Sequence, residues 1–540
     1  MIIDSPQEAP LKRCQVRSFD VFDTLIARRC IDPREMFVPI EERGYPRFFE
    51  KRAAAGGRVH SARKTYTIED IYLDLVTQHV YTEAEARILH DLELQLELEN
   101  CIPIRANLDL VRDGDILVSD MYYSPEFIRT LLAKAGLHCD YRLFVSPAGK
   151  LEGSIWPEIL KTRSISHHLG DNPKSDLISP SEFGIRSRMS TLHRPSRMET
   201  LLMRHGQKSL ARCIREVRLA ASFDDEVLDY LHSSSCQLNF PLLVLFSRLI
   251  HSELKALGMS RVAFVTRDCF NLKRVFKSMF AGVDSTDFFS SRRCLRTASS
   301  TYLDYLESLC QGTLLVELNT SGTSLAEALK RLLKRGKVVT PTVFSAIFLD
   351  EKLKKYMKLV QHPRSPRPVM HHFTTTTRVG TQVPVLWEML NFAPYPSVID
   401  VIRLPGGGGY HPAFQDRSLI AEYQDPSLVH SMNETIRMCI TMAPWEDIVA
   451  ESATGNLPGL LDALIEEVSG CQRLLDIFPR LIIDAAPEEQ RFFAGLGEGR
   501  RRKLRRFIKK LVRKRRQLIG YLFSRIHVRS RLASKGRGRF

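Results

Sequence analysis

The chain has 540 residues, 44% of them hydrophobic and 26% charged, an ordinary globular composition with length for two or three cores. Its formal charge of +16 belongs to one end, because residues 500–540 carry 18 Lys and Arg and no acid while the first 499 residues sum to −2. Eleven cysteines without a Cys-x-x-Cys pair exclude a disulfide framework and read as reduced thiols in a cytosol.

The first 30 residues contain acids and no apolar run behind a basic start, so no secretory signal is expected. Nor does any segment approach about 18 uninterrupted apolar residues, since Asn239 and Arg248 break Leu238–Ile250. The expectation is a cytoplasmic protein, soluble or peripheral at the inner face of the plasma membrane.

An apolar strand, Val16–Phe22, opens the chain and runs into Ser18-Phe19-Asp20-Val21-Phe22-Asp23-Thr24-Leu25. Residues 34–105 are helical in pattern and charged, with Glu93, Glu97 and Glu99 close together on one helix before Pro103. Then follow a strand Ile116–Ser119, a helix Pro125–Gly136, a strand Leu143–Ser146, a helix Ile155–Lys161 and a strand Ile165–Leu169. This alternation predicts a doubly wound parallel sheet of Rossmann-like α/β class over residues 1–190, interrupted by a helical insertion.

Three further motifs fall along this unit: Leu117-Val118-Ser119-Asp120, Lys150-Leu151-Glu152-Gly153 and Gly170-Asp171-Asn172-Pro173-Lys174-Ser175-Asp176. Taken singly each has an ordinary explanation, such as an Asp capping a turn or a solvated lysine. Together they supply the parts of phosphoryl transfer. Asp20 can attack phosphorus, Ser119 can donate to a phosphoryl oxygen, and Lys150 can neutralise nucleophile and phosphate. Asp171 and Asp176 can hold a hard cation, most plausibly magnesium.

The set resembles the haloacid dehalogenase superfamily of hydrolases. The resemblance extends to Arg28, Ile68-Glu69-Asp70-Ile71-Tyr72, Asp120-Met121-Tyr122-Tyr123-Ser124 and the spacing Ser146…Lys150-Leu-Glu-Gly153…Trp156. These are similar to a branch found in bacterial surface-polysaccharide gene clusters, often beside or fused to glycosyltransferases. The resemblance implies Asp20 as nucleophile and a magnesium ion held by Asp20, the carbonyl of Phe22 and Asp171, with Asp176 in support. It also implies that residues 34–105 form a cap over the site. One departure stands out: phosphatases of the superfamily carry a second Asp, the general acid, where this chain has Phe22. Asp23 is one residue late, on the opposite face of an extended strand. Without the acid, expulsion of a poor alkoxide leaving group slows by roughly two to four orders of magnitude.

Beyond a Ser/Pro/Arg-rich linker at 179–197, residues 198–400 read as a helical connector followed by a second, smaller α/β domain. Its strands are Val262–Thr266, Asp287–Ser290, Thr313–Leu318 and Val343–Leu349. Glu317-Leu318-Asn319-Thr320-Ser321-Gly322-Thr323-Ser324 can be an anion-binding strand–loop–helix or simply a capped helix. From about 362 the chain reads as irregular, with loops at His362–Pro368 and Gly406–Gly409. The region 401–499 reads as mostly helical, through Leu428–Met442 and Leu457–Phe478.

Residues 500–526 place Leu504, Ile508, Leu511, Leu518, Leu522 and Ile526 at roughly helical spacing among Lys and Arg. That pattern suits an anionic membrane surface first, nucleic acid second and a partner helix third.

The expectation is therefore a magnesium-dependent hydrolase, phosphatase or phosphotransferase, acting through an aspartyl-phosphate on a phosphorylated small molecule. By resemblance, its context is surface-polysaccharide synthesis with glycosyltransferase partners. The alternatives are a catalytically weak scaffold of the same fold tethered by the basic tail, and a nucleic-acid-associated protein.

Overall fold

The computed structural model describes residues 15–352, 356–357, 368–407, 409–415, 425–451 and 457–478. The chain divides into two compact units, residues 1–420 with 425–472 and residues 421–424 with 473–540. Of the second unit only 473–478 are described, with one helical turn, Leu474–Ile477. The basic stretch 500–526 and the loop at 362–367 lie outside the described residues.

The first α/β half contains β1 (Gln15–Asp20), a short antiparallel pair β2 (Ile26–Arg28) and β3 (Cys101–Pro103), then β4 (Asp115–Ser119), β5 (Tyr141–Val145), β6 (Ser164–Gly170) and β7 (Ser187–Met189). Its sheet is parallel, in the order β5-β4-β1-β6-β7. β4 is buried along its whole length, as a central strand covered on both faces must be. Leu117 packs with Ile128, Leu131 and Leu132 on one side, while Ile116 and Val118 pack against Ile155, Trp156 and Ile159 on the other. Helices therefore cover both faces. The expected linker at 179–197 is structured in part, because Ser187–Met189 adds the fifth strand by pairing with His168–Gly170.

Between β2 and β3 the chain leaves the sheet for three main helices, Phe48–Ala62, Ile68–Thr77 and Glu83–Asn100. Thr67 with Asp70 and Thr82 with Glu85 form capping boxes that fix the starts of the last two. Glu93 and Glu97 lie buried on the third, whereas Glu99 is exposed. Arg52 meets Glu93 through two bonds of 2.9 Å, and the Tyr72 hydroxyl adds a third at 2.7 Å. Arg28 holds Glu97 at 2.9 Å, and Tyr123 donates to it at 3.2 Å, tying the insertion to the sheet. Replacing Arg52 with Met leaves Glu93, at 0% exposure, without its counter-charge. The expected cost is about 3–5 kcal/mol in chemical denaturation, much of it recovered when Glu93→Leu is added.

Helices Lys208–Leu219 and Phe240–Ala256 lead to the second half. The Phe240–Ala256 helix is mostly buried, and no helix among the described residues is long and apolar enough to cross a membrane. The two polar residues that interrupt the run, Asn239 and Arg248, have internal partners: the Leu390 carbonyl at 3.0 Å and Gln207 Oε1 at 2.6 Å.

The second sheet comprises β8 (Arg261–Val265), β9 (Asp284–Phe288), β10 (Thr313–Thr320), β11 (Thr342–Phe348) and β12 (Val369–Thr375), all parallel in the order β12-β11-β10-β8-β9. It equals the first in strand number, which corrects the expectation of a smaller domain. β12 falls where the sequence reads as irregular; its two histidines and Pro-rich approach conceal an edge strand whose outer face needs no apolar continuity. The region from 401 is likewise not purely helical at its start. β13 (Val398–Arg403) and β14 (Tyr410–Phe414) form an antiparallel hairpin, and Val398 and Val401 pack into the core beside Leu295 and Leu315. Helix Pro426–Met442 follows near its expected place, and the expected segment Leu457–Phe478 holds a helix only over Leu457–Val468 and a turn at Leu474–Ile477.

Candidate active site

In the first sheet the chain moves outward from β1 through β4 to β5, then returns to the other side for β6 and β7. The order reverses between β1 and β6, so the loops leaving these two strands diverge and open a crevice at their carboxyl ends. Asp20 ends β1, Ser119 ends β4, and Asp171 follows β6. Residues 150 apart in sequence meet there because the topology brings the strand ends together.

Lys150 is the centre of the cluster, at 2% exposure. Its Nζ donates to Asp20 Oδ1 and, at 2.7 Å, to Asp176 Oδ1. Its loop is held from both sides. The Lys150 backbone N–H donates to Asp120 at 3.1 Å, and Ser179, to which the Trp156 indole donates at 3.1 Å, donates to the Lys150 carbonyl. The Lys…Trp spacing thus builds a support for the lysine. Gly153 closes the same loop at φ 76°, where a Cβ would meet the Phe183 ring at 2.9 Å.

Asp176 sits on the helical turn Pro173–Ile178, with Asn172 N–H donating to its Oδ2 at 3.0 Å. His168, fully buried on β6, lies 3.2 Å from Asp176 Oδ1 through Nε2 and 2.8 Å from the Ser18 hydroxyl through Nδ1. Burial holds the His168 pKa down; Nε2 faces a carboxylate, which only accepts, so in the neutral ring Nε2–H donates to Asp176 and Nδ1 accepts from Ser18. Burial opposes ionisation of Asp176, but the His168 donor and the Lys150 charge outweigh it and hold the acid below the usual carboxylate range. Burial likewise opposes the charge on Lys150, which Asp20, Asp176 and Asp120 preserve.

Asp20 and Asp171 shift the other way. Burial, only partly offset by Lys150, raises Asp20, and the charges of Asp176 and Asp171 add to the rise. Asp171 is pushed to about 6 by burial and by its neighbours Asp23 and Asp176. Asp20, Asp171 and Asp176 each offer an oxygen within 4.8 Å of the others, and Asp20 Oδ2 is buried without a donor. Three acids facing one lysine, with an orphaned carboxylate oxygen among them, fit a hard divalent cation.

Ser119 is buried at the end of β4; its Oγ accepts from Met121 N–H at 3.2 Å, which leaves the hydroxyl proton free to donate. Phe22 lies in the turn bridged to Ile26, and its ring stands 6.0 Å from that of Tyr123. Asp23 takes φ 59°, a left-handed conformation that Asp tolerates, and its charge bears on Asp171 and His193.

Sequence reasoning missed His168 and His193, the latter 3.9 Å from Asp171 Oδ2. Neither carries a motif. Only the alternation of β6 places His168 on the side of the site, and His193 lies in a segment read as linker.

Gly170 is required by contact, since a Cβ there would overlap the carboxyl carbon of Asp176. Gly170→Ala is expected to destabilise the fold by about 1–3 kcal/mol, readable from the thermal midpoint.

Compared with known proteins, the chain matches no protein-family model and no curated protein.

Proposed function

We propose that the first α/β half is a magnesium-dependent hydrolase of the haloacid dehalogenase type, acting on a phosphorylated small molecule through an aspartyl-phosphate. The observation that carries this reading is the contact of Lys150 with both Asp20 and Asp176 at the sheet's switch point, beside Asp171. Lys150 keeps Asp20 in place and offsets charge as a phosphoryl group approaches. Ser119 donates to a phosphoryl oxygen. Asp20, Asp171 and the Phe22 carbonyl would hold a magnesium ion, with Asp176 in support, and the ion would supply charge neutralisation at the transferring group. Asp20 attacks phosphorus as the bond to the leaving oxygen breaks, and water then cleaves the aspartyl-phosphate to return the carboxylate.

The helical insertion 34–105 is read as the cap, anchored through Arg28 and Tyr123. Localisation in the cytoplasm or at the inner face of the membrane belongs to the same proposal, as do a role in surface-polysaccharide synthesis, glycosyltransferase partners and membrane attachment through 500–526.

Phe22 sets the substrate preference. With an aromatic ring in place of the acid, acetyl phosphate is expected to turn over faster than a sugar phosphate by roughly 10²–10⁴-fold. Phe22→Asp should narrow that gap, and an unchanged ratio in phosphate-release assays would count against this role. Phe22 also supports a second reading, a scaffold that keeps the fold and the metal without turnover. Release of phosphate from acetyl phosphate, p-nitrophenyl phosphate and sugar phosphates with magnesium separates the two. Silence across all of them with magnesium still bound favours the scaffold.

A further inference from the structure

The second sheet has its own switch point. From β8 the chain goes outward to β9 and then returns across to β10, so the order reverses between β8 and β10. A crevice opens beyond the carboxyl ends of strands at such a reversal, and open parallel sheets hold their ligands there.

Five ionisable side chains gather at this place from four separate segments. Arg267 and Asp268 follow β8, Arg292 follows β9, Glu317 lies near the end of β10, and Glu388 comes from the helix Val383–Met389. Asp268 feels Arg267 and Arg292, and both glutamates feel Asp268 and Arg292. Both arginines bear on Asp268 and Glu388 through their charge. Arg267 also donates to the Ser397 hydroxyl. Asn319, two residues beyond Glu317 on the same side of β10, donates to Glu388 Oε1 at 3.2 Å and to the Pro384 carbonyl at 3.1 Å. Its own Oδ1 is buried without a donor. Ser345, at 0% exposure and the register partner of Glu317 on β11, also has an unpartnered hydroxyl. Buried polar atoms without partners are rare in folded proteins, and each calls for a cause.

We propose that this crevice is a second ligand site that takes a small hydroxylated anion, its hydroxyl groups meeting Asp268, Glu317, Glu388 and Asn319 and its anionic group meeting Arg267 and Arg292. Carboxylates and the amide oxygen accept from hydroxyls, and guanidinium forks match phosphate or carboxylate oxygens. Two guanidinium groups disfavour a metal ion, and three acids disfavour a bare inorganic anion. A ligand bearing both kinds of group satisfies both sets. Burial pushes Glu317 and Glu388 to about 7, so near neutrality each can donate as well as accept. This site stands apart from Asp20, and its existence does not depend on the reading of the first sheet.

Isothermal titration of the full chain in EDTA, with glucose 6-phosphate, glucose and inorganic phosphate as probes, tests it. Glucose 6-phosphate is expected to bind at least about tenfold more tightly than either fragment, because only it engages both groups. Arg267→Gln with Arg292→Gln, or Asn319→Ala alone, should weaken it by about tenfold or more. Absence of binding by all three probes overturns the proposal, as does glucose 6-phosphate binding that neither the arginine pair nor Asn319→Ala weakens. Glu317→Gln adds a readout independent of the probe. Removing a buried acid that faces Asp268 should raise the thermal midpoint at pH 8, whereas a lowered midpoint marks the cluster as structural and contradicts a ligand site.

Discussion

Asp20→Asn is expected to lower magnesium-dependent phosphate release by on the order of 10⁴–10⁶-fold, the scale of losing a nucleophile. The amide has nearly the shape of the carboxylate, so packing at 5% exposure survives. Lys150 keeps its 2.7 Å bond to Asp176. Burial and the neighbouring acids already disfavour a charge at Asp20, so its removal should leave stability equal or slightly higher. Activity lost with an unchanged or raised thermal midpoint is therefore the expected pair of results. A variant that keeps its turnover removes Asp20 from the chemistry.

Lys150→Met is expected to act on both function and fold. Asp20 and Asp176, at 5% and 1% exposure, lose the one ammonium that touches both. Stranding buried charge in this way costs about 3–5 kcal/mol. The loss should be largest in EDTA, and saturating magnesium should recover part of it, because an ion bound only by the folded state stabilises it by mass action. Chemical denaturation of the variant with and without magnesium reads this directly. If the ion makes no difference, the three carboxylates do not hold a cation.

The contrast between these two substitutions comes from the same carboxylate cluster. Neutralising one acid relieves repulsion, while deleting the lysine that bridges Asp20 and Asp176 exposes it. A merely structural ion pair would behave differently, since losing either partner would destabilise the fold.

Much of the first half was legible because its signals are local. Strand β4 reads as an apolar run ending in Ser119, and the Asp and Lys residues of the four motifs sit at strand ends or in adjoining loops, where the proposed chemistry needs them. What stayed hidden depends on partners far away in sequence. His168 looks like any strand residue until Asp176 and Ser18 are brought to its two nitrogens. Glu93 and Glu97 read as neighbouring acids on one helix, and their burial becomes tolerable through Arg52 and Tyr72, and Arg28 and Tyr123. β7 has three residues and no apolar alternation, so its strand character exists only through pairing with β6. The acids and arginines of the second sheet lie in four segments between 267 and 388, and only the strand order gathers them.

The most direct test is to trap the phosphorylated enzyme. Full-length protein mixed with magnesium and acetyl phosphate, quenched in acid and mapped by mass spectrometry, should carry one hydroxylamine-labile phosphoryl group on the peptide containing Asp20. Label should be absent without magnesium and in Asp20→Asn. Phosphate release with no label at Asp20, or label that persists in Asp20→Asn, would contradict an aspartyl mechanism at this site.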